Sequence, residues 1–150
     1  MTTAPEPALV DTNILVYAVF PATPDHAASR ALLDTAKAAG SNLWVAPQNL
    51  IEFFAVVTDP RRVTRPKTPD EALQAIDDFL LLPGLAVLMV PGDLLRRWAQ
   101  LIRQSLTIKK RAFDTQLVAT MLANRVMKIY TFNTADFQVF AATGIQAVTP

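Results

Sequence analysis

The stretch "ALVDTNILVYA", residues 8–18, decides how this chain is read. Ala8, Leu9 and Val10 form a short, continuously apolar run, the pattern of a strand buried on both faces. Ile14 to Ala18 form a second apolar run. Between the two stand a carboxylate, a hydroxyl and an amide: Asp11, Thr12 and Asn13. An unpaired carboxylate is costly to bury, so Asp11 needs a partner or a use. Its plainest use is as the N-cap of the helix that follows.

Outward from that segment, helices and strands alternate. Residues 1–7 are a polar, Pro-containing lead-in expected to be disordered. A short helix over Asn13–Phe20 stops at Pro21. Pro24 and Asp25 open a helix to about Ala39, with Gly40 as its C-cap. Leu43–Ala46 is a second strand, and Pro47 starts a helix to about Thr58 as an N1 proline. Thr68, Pro69, Asp70 and Glu71 supply a cap, an N1 proline and two first-turn acids for a helix ending near Leu82. Ala86–Val90 is a third strand, and Asp93 caps a helix to about Ser105. A helix over Ala112–Asn124, a strand over Lys128–Tyr130, a short helix over Thr134–Ala142 and a strand over Gln146–Val148 complete the chain. Short apolar strands alternating with helices predict one α/β domain, an α/β/α sandwich around a short, mostly parallel sheet of about five strands. Ligands of such sheets bind beyond the C-terminal strand edges, where Asp11 falls.

The totals narrow the chemistry. At 150 residues the chain is long enough for one real core. Its 51% hydrophobic and 18% charged content is apolar-rich and suits an additional dimer interface. With no cysteine, disulfides, thiolate zinc sites and thiol nucleophiles are excluded, which fits a cytoplasmic protein. With His26 as the one histidine, a multi-His zinc site is excluded as well. No basic segment followed by an apolar one marks a secretory signal, and the apolar stretch Phe79–Val90 is too short to span a bilayer. A formal charge of +1 gives no global field for nucleic acid, so any such binding rests on local clusters.

Four of the 13 acids are candidates for chemistry. Asp11 follows the first strand. Glu52 lies on a mostly apolar helix, on a face with Gln48, Asn49, Ala55 and Asp59 that also reads as its wet side. Asp114 precedes Leu117, Val118 and Met121 at i+3, i+4 and i+7, so it rides the core-facing stripe. Asp136 follows the fourth strand, where Thr131, Asn133 and Asp136 repeat the pattern of Asp11, Thr12 and Asn13. Each also has a plain role as a cap or a solvated charge. Carboxylates crowded together repel unless a cation intervenes, and all-oxygen sites suit Mg²⁺ or Mn²⁺.

In "LVDTNILVYA", "NLIEFFAVVTDPRR", "RAFDTQLVAT" and "IYTFNTADF" the sequence resembles the PIN-domain ribonucleases, in particular the toxins of VapBC-type toxin–antitoxin pairs. The resemblance runs from Leu9 to Val148 and implies a single PIN-like domain over residues 1–150. It implies that Asp11, Glu52, Asp114 and Asp136 match the acidic catalytic and metal-binding quartet, holding one or two Mg²⁺ or Mn²⁺ ions. Thr12, Thr131 and Asn133 match supporting polar positions. It further implies an RNA substrate, a homodimer, and a cognate antitoxin whose C-terminal segment covers the acidic pocket. The sequence departs from the family pattern where Thr115 and Gln116, rather than small residues, follow the third acid.

Two basic clusters are candidates for phosphate contact. One is Arg61, Arg62, Arg65 and Lys67. The other is Lys109, Lys110 and Arg111, which adjoins Asp114 and is the stronger candidate. Trp44, Trp98, Phe53, Phe54 and Phe113 read as core rather than base-stacking residues. The rival readings are a non-catalytic RNA- or protein-binding module, an aspartyl phosphatase with Asp11 as nucleophile, and a receiver-type domain. The phosphatase wants a second Asp where Asn13 stands. The receiver domain wants paired acids at the first strand.

Overall fold

The computed structural model describes residues 3–150. The first two residues of the expected lead-in lie outside that range. Residues 3–7 carry no regular structure, and the Pro5 carbonyl accepts a hydrogen bond from Asn42 Nδ2 at 2.8 Å.

Five strands form one sheet: β1 (Ala8–Val10), β2 (Leu43–Val45), β3 (Leu85–Val87), β4 (Lys128–Tyr130) and β5 (Gln146–Val148). Their order is β3-β2-β1-β4-β5, and every pairing is parallel. Among the described residues six α-helices alternate with them: α1 (Thr12–Ala18), α2 (His26–Thr35), α3 (Pro47–Val57), α4 (Pro69–Leu80), α5 (Leu94–Ser105) and α6 (Arg111–Ala123). A 3₁₀ helix, η1 (Thr134–Thr143), precedes β5. No helix among the described residues is long and apolar enough to cross a membrane.

Alternation along the strands assigns each side chain to a layer. Ala8 and Val10 of β1 pack with Ile14, Leu15, Leu33, Phe53 and Phe79, the layer of α1 to α4. Leu9 packs with Leu101, Leu117, Met121, Phe137 and Phe140, the layer of α5, α6 and η1. The chain leaves β1 toward β2 and β3, then returns to the other side of β1 as β4. The switch point therefore lies between β1 and β4, where the Asp11 N–H donates to the Tyr130 carbonyl at 3.0 Å.

Local signals account for most boundaries. Thr68 and Glu71 form a capping box, with the Glu71 N–H donating to Thr68 Oγ1 (3.2 Å) and the Thr68 N–H to Glu71 Oε2 (2.9 Å). The helix opened by Pro24 and Asp25 ends earlier than expected, at Thr35, with Ala36 rather than Gly40 as its C-cap. The reason is tertiary: the Ala36 carbonyl accepts the Gly84 N–H at 2.7 Å, seating the residue before β3. A Cβ on Gly84 would collide with the Ala36 and Ala38 carbonyls, so that approach requires glycine. β3 is shorter than expected, because β2 ends where Ala46 turns into α3. After the Leu88 N–H donates to the Val45 carbonyl (2.8 Å), Met89 and Val90 lie exposed. Asp25 and Asp93 hold N-cap positions but make no capping bond, and the Asp93 carboxylate accepts from Arg97 Nε at 2.7 Å instead.

Candidate active site

Asp11 stands one residue beyond the central strand, as the N-cap of α1. Its Oδ1 accepts the Thr12 N–H (2.8 Å). Its Oδ2 accepts from Thr131 Oγ1 (2.7 Å) and from Asn13 Nδ2 (3.4 Å). Thr131, fully buried, is itself fixed by Asn13 Nδ2 (3.1 Å) and the Asn133 N–H (3.0 Å). Asn133 therefore supports the site through its backbone, while its side chain lines the cleft. Capping and site-building are thus the same act for Asp11.

Glu52 has both oxygens engaged. Oε1 accepts from Gln48 Nε2 (2.9 Å) and Oε2 from Thr12 Oγ1 (3.1 Å). Thr12 Oγ1 in turn accepts from Asn49 Nδ2 (3.2 Å), and Asn49 Oδ1 accepts the Ala46 N–H (2.8 Å). Asn49 is wholly buried, so at its N-terminal end this face of α3 is not the wet side that its polar residues suggest. Gln48 and Asn49 are the functional residues that sequence reasoning missed. The available signal was their spacing, four and three residues before Glu52 and directly after the N1 proline Pro47.

Asp114 comes from the other layer, in the first turn of α6. Among the described residues no hydrogen-bond donor engages its carboxylate. Burial, then the charges of Asp11, Asp136 and Glu52, push its pKa up to about 6 against the weaker pull of Arg111. Asp11 is displaced upward too, first by burial, with Glu52 and Asp136 adding repulsion that the Thr131 and Thr12 bonds oppose. Asp11, Glu52 and Asp114 line one cleft of about 1070 Å³ with Thr12, Asn13 and Asn133. Asp136 lies outside that lining, half-exposed, with Oδ1 4.0 Å from the Arg111 guanidinium.

The donor set is all oxygen, and its members repel one another, as expected of a site built to attract a cation. Among the described residues no three of these groups are already closed into a metal cage. Mg²⁺ keeps several waters and needs only one or two carboxylates, so these residues fit it.

The cleft continues between α1, α3 and the loop after α3. Val16, Tyr17, Phe20 and Val56 form an apolar wall, and Arg62 and Arg65 line the same space. Arg61 points away, highly exposed, beside Asp59 at 3.3 Å. Lys109, Lys110 and Arg111 lie outside the cleft lining, and Arg111 faces Asp136. Phe53 is core, but Phe113 is 59% exposed, against the expectation. The stripe of α6 led by Asp114 faces inward, which turns Phe113 outward. It helps line a second, smaller hollow with Gln48, Ile51, Glu52 and Val90.

The sequence model of the PIN domain family matches residues 8–142, the whole span from β1 through the four acids. The chain belongs to the PIN domain family. Ribonuclease VapC24 of Mycobacterium tuberculosis is 30% identical to this PIN domain over 132 residues, 87% of this chain and 89% of that protein. Ribonuclease VapC43 of the same organism is 37% identical over 89 residues, 59% of this chain, and the match spans 58% of that relative's length. Among solved structures, M. tuberculosis VapC20, described as a sarcin-ricin loop cleaving toxin, superposes with a TM-score of 0.66 at 19% identity. That match covers 95% of this chain and 99% of VapC20. VapBC2 from Rickettsia felis, bound to a DNA fragment from its promoter, gives a TM-score of 0.62 at 18% identity, covering 95% and 97%. At these identities the two structures establish the shared PIN fold.

Proposed function

We propose that this PIN domain is a divalent-metal-dependent endoribonuclease, the toxin of a toxin–antitoxin pair. One observation carries the reading. Asp11, Glu52 and Asp114, brought from the central strand and from both helical layers, line a single cleft at the switch point of the sheet. The names of the relatives support ribonuclease activity. A binding module would have no need to hold mutually repelling carboxylates together.

Asp11, Glu52 and Asp114, with Asp136 at the rim, would hold one or two Mg²⁺ or Mn²⁺ ions. When bound, such an ion lowers the pKa of a coordinated water and polarises the phosphodiester. The residues divide the remaining work. Asp11 and Glu52 are anchors, since donors fix every one of their oxygens while leaving further lone pairs open. Asp114, with no donor engaged among the described residues, would turn toward an ion or a water. Arg62 and Arg65 would neutralise phosphates of the RNA strand on either side of the scissile bond. The apolar wall at Val16, Tyr17, Phe20 and Val56 is the surface for a segment of the cognate antitoxin. Within a homodimer, each protomer would contribute one such cleft.

Asn13 gives the phosphatase alternative no acid. Its amide donates to Thr131 and Asp11, and its Oδ1 accepts the Phe132 N–H at 3.4 Å.

The test is incubation of the purified chain with total cellular RNA in Mg²⁺, Mn²⁺ or EDTA. The expected result is discrete cuts leaving 5′-phosphate and 3′-hydroxyl ends, lost in EDTA and in Asp11→Asn. Products ending in 2′,3′-cyclic phosphate, or no cutting by folded protein with ion present, would overturn the reading.

A further inference from the structure

Glu52 and Asp114 belong to opposite layers, and α3 and α6 barely touch. Gln48 is the side chain that reaches from one to the other. Its Nε2 donates to Glu52 Oε1 at 2.9 Å, four residues along α3, and to the Phe113 carbonyl of α6 at 2.9 Å. Phe113 is the residue directly before Asp114. A primary amide has two hydrogens, so both are committed. Each partner can only accept here, so turning the amide over would set its oxygen against two oxygens. Gln48 Oε1 itself is buried without a partner among the described residues. Leaving an acceptor unpaired is costly, and the chain bears that cost while keeping the nitrogen toward the acid site. From the other side, Trp98 Nε1 donates to the Ala112 carbonyl at 2.9 Å. The backbone on which Asp114 sits is thus pinned by two side chains, one from each layer.

We infer that Gln48 is a positioning residue that sets the separation of Glu52 from Asp114, and thereby the affinity of the site for a divalent ion. The inference rests on the acidic-site reading above. Gln48 acts through Glu52 and the Phe113 carbonyl, and it contacts neither RNA nor ion. Without the tie, repulsion between the carboxylates splays the two helices' acids apart, and an ion must first draw them back.

The experiment measures Mn²⁺ binding to the full chain by loss of the free-ion paramagnetic resonance signal. Wild type is compared with Gln48→Leu, Gln48→Ala, Glu52→Gln and the double variant Gln48→Leu/Glu52→Gln. Gln74→Leu is the control, because Gln74 makes the same i to i+4 bond to Asp78 (3.0 Å) at an exposed site on α4 outside the cleft lining. Gln48→Leu and Gln48→Ala are expected to weaken Mn²⁺ binding about ten- to a hundredfold, with far-UV circular dichroism unchanged. Gln74→Leu should bind as wild type. In the Glu52→Gln background the Gln48 effect should vanish, because a positioning residue has nothing left to position. Wild-type affinity in both Gln48 variants would overturn the inference. So would an equal loss in the Glu52→Gln background, which marks general destabilisation. If Gln48→Leu fails to fold, Gln48→Ala decides on the same criteria. Wild type that binds no Mn²⁺ and cuts no RNA would instead refute the functional reading, so the two failures are distinguishable.

Discussion

The site has a firm half and a loose half. In the layer of α1 to α4, Glu52 is held at both oxygens, by Gln48 and by Thr12, the residue after Asp11, which the buried Asn49 fixes in turn. In the layer of α5, α6 and η1, Asp114 has no donor among the described residues and Asp136 meets Arg111 at 4.0 Å. The firm half is held by hydrogen bonds formed on folding. In the loose half, burial and then the neighbouring carboxylates push the pKa of Asp114 up, with no donor among the described residues to oppose them. In the proposed reading the site is half template and half clamp: one side would define where an ion goes, and the other would close on it.

The sharpest way to break that comparison is to remove one acid from each half. Asp11→Asn should lower cleavage about a thousandfold or more, with a melting temperature within a few degrees of wild type. Asp136→Asn should cost only about tenfold. Equal losses in an end-labelled RNA assay would show that the rim acid is as fixed as the anchor.

The layers can also be compared by stability. Phe53 in one and Phe140 in the other are almost completely buried. Each change to alanine should cost about 3–5 kcal/mol in urea unfolding followed by circular dichroism. With strands of only three residues, neither layer has a core without the shared sheet. Both variants should therefore unfold in a single transition, and a separate transition for either layer would contradict this.

The loose half carries a pH signature. Asp114 binds its proton more tightly in the folded chain, at about 6, than in the unfolded chain, at 3.8. Between those values the folded state holds more protons, so ion-free stability should fall as pH rises from about 4 to about 6 and then level off. The upward displacement of Asp11 acts in the same direction. A divalent ion reverses the repulsion, so its gain in melting temperature should be larger at about pH 7 than at about pH 5. Asp114→Asn should reduce the ion-free slope in thermal melts.

The smallest effect expected is at a distance from both halves. Thr68→Ala breaks the capping box of α4 and should cost about 1 kcal/mol. Cleavage should be unchanged at temperatures where the chain is folded.

What the sequence shows and hides follows the same division between near and far. The cap at Thr68, the N1 proline at Pro47 and the apolar runs of β1 and β4 are local signals, and each marks its element within a residue or two. Asp11 and Asp136 stand out because each follows a strand and Asp114 because it leads a helix stripe, whereas Glu52 stands out only as an acid on a mostly apolar helix. Gln48 and Asn49 are hidden because an amphipathic pattern shows a polar face without showing what covers it. Thr12, which covers Asn49, comes from 37 residues away. The early end of α2 is hidden for the same reason, since Gly84 ends it from a distant part of the chain.

The hydrogen bond from Thr131 to Asp11 spans 120 residues of chain, and β4, which delivers Thr131, pairs with a strand made at the start of the chain. Synthesis runs from the first residue to the last, so a nascent chain carries Asp11 long before it can hold it. Until residues 128–131 have left the ribosome, the central strand lacks one neighbour and the first acid lacks its strongest side-chain donor. The first acid of the proposed site is thus fixed only when the sheet closes on both sides of its central strand.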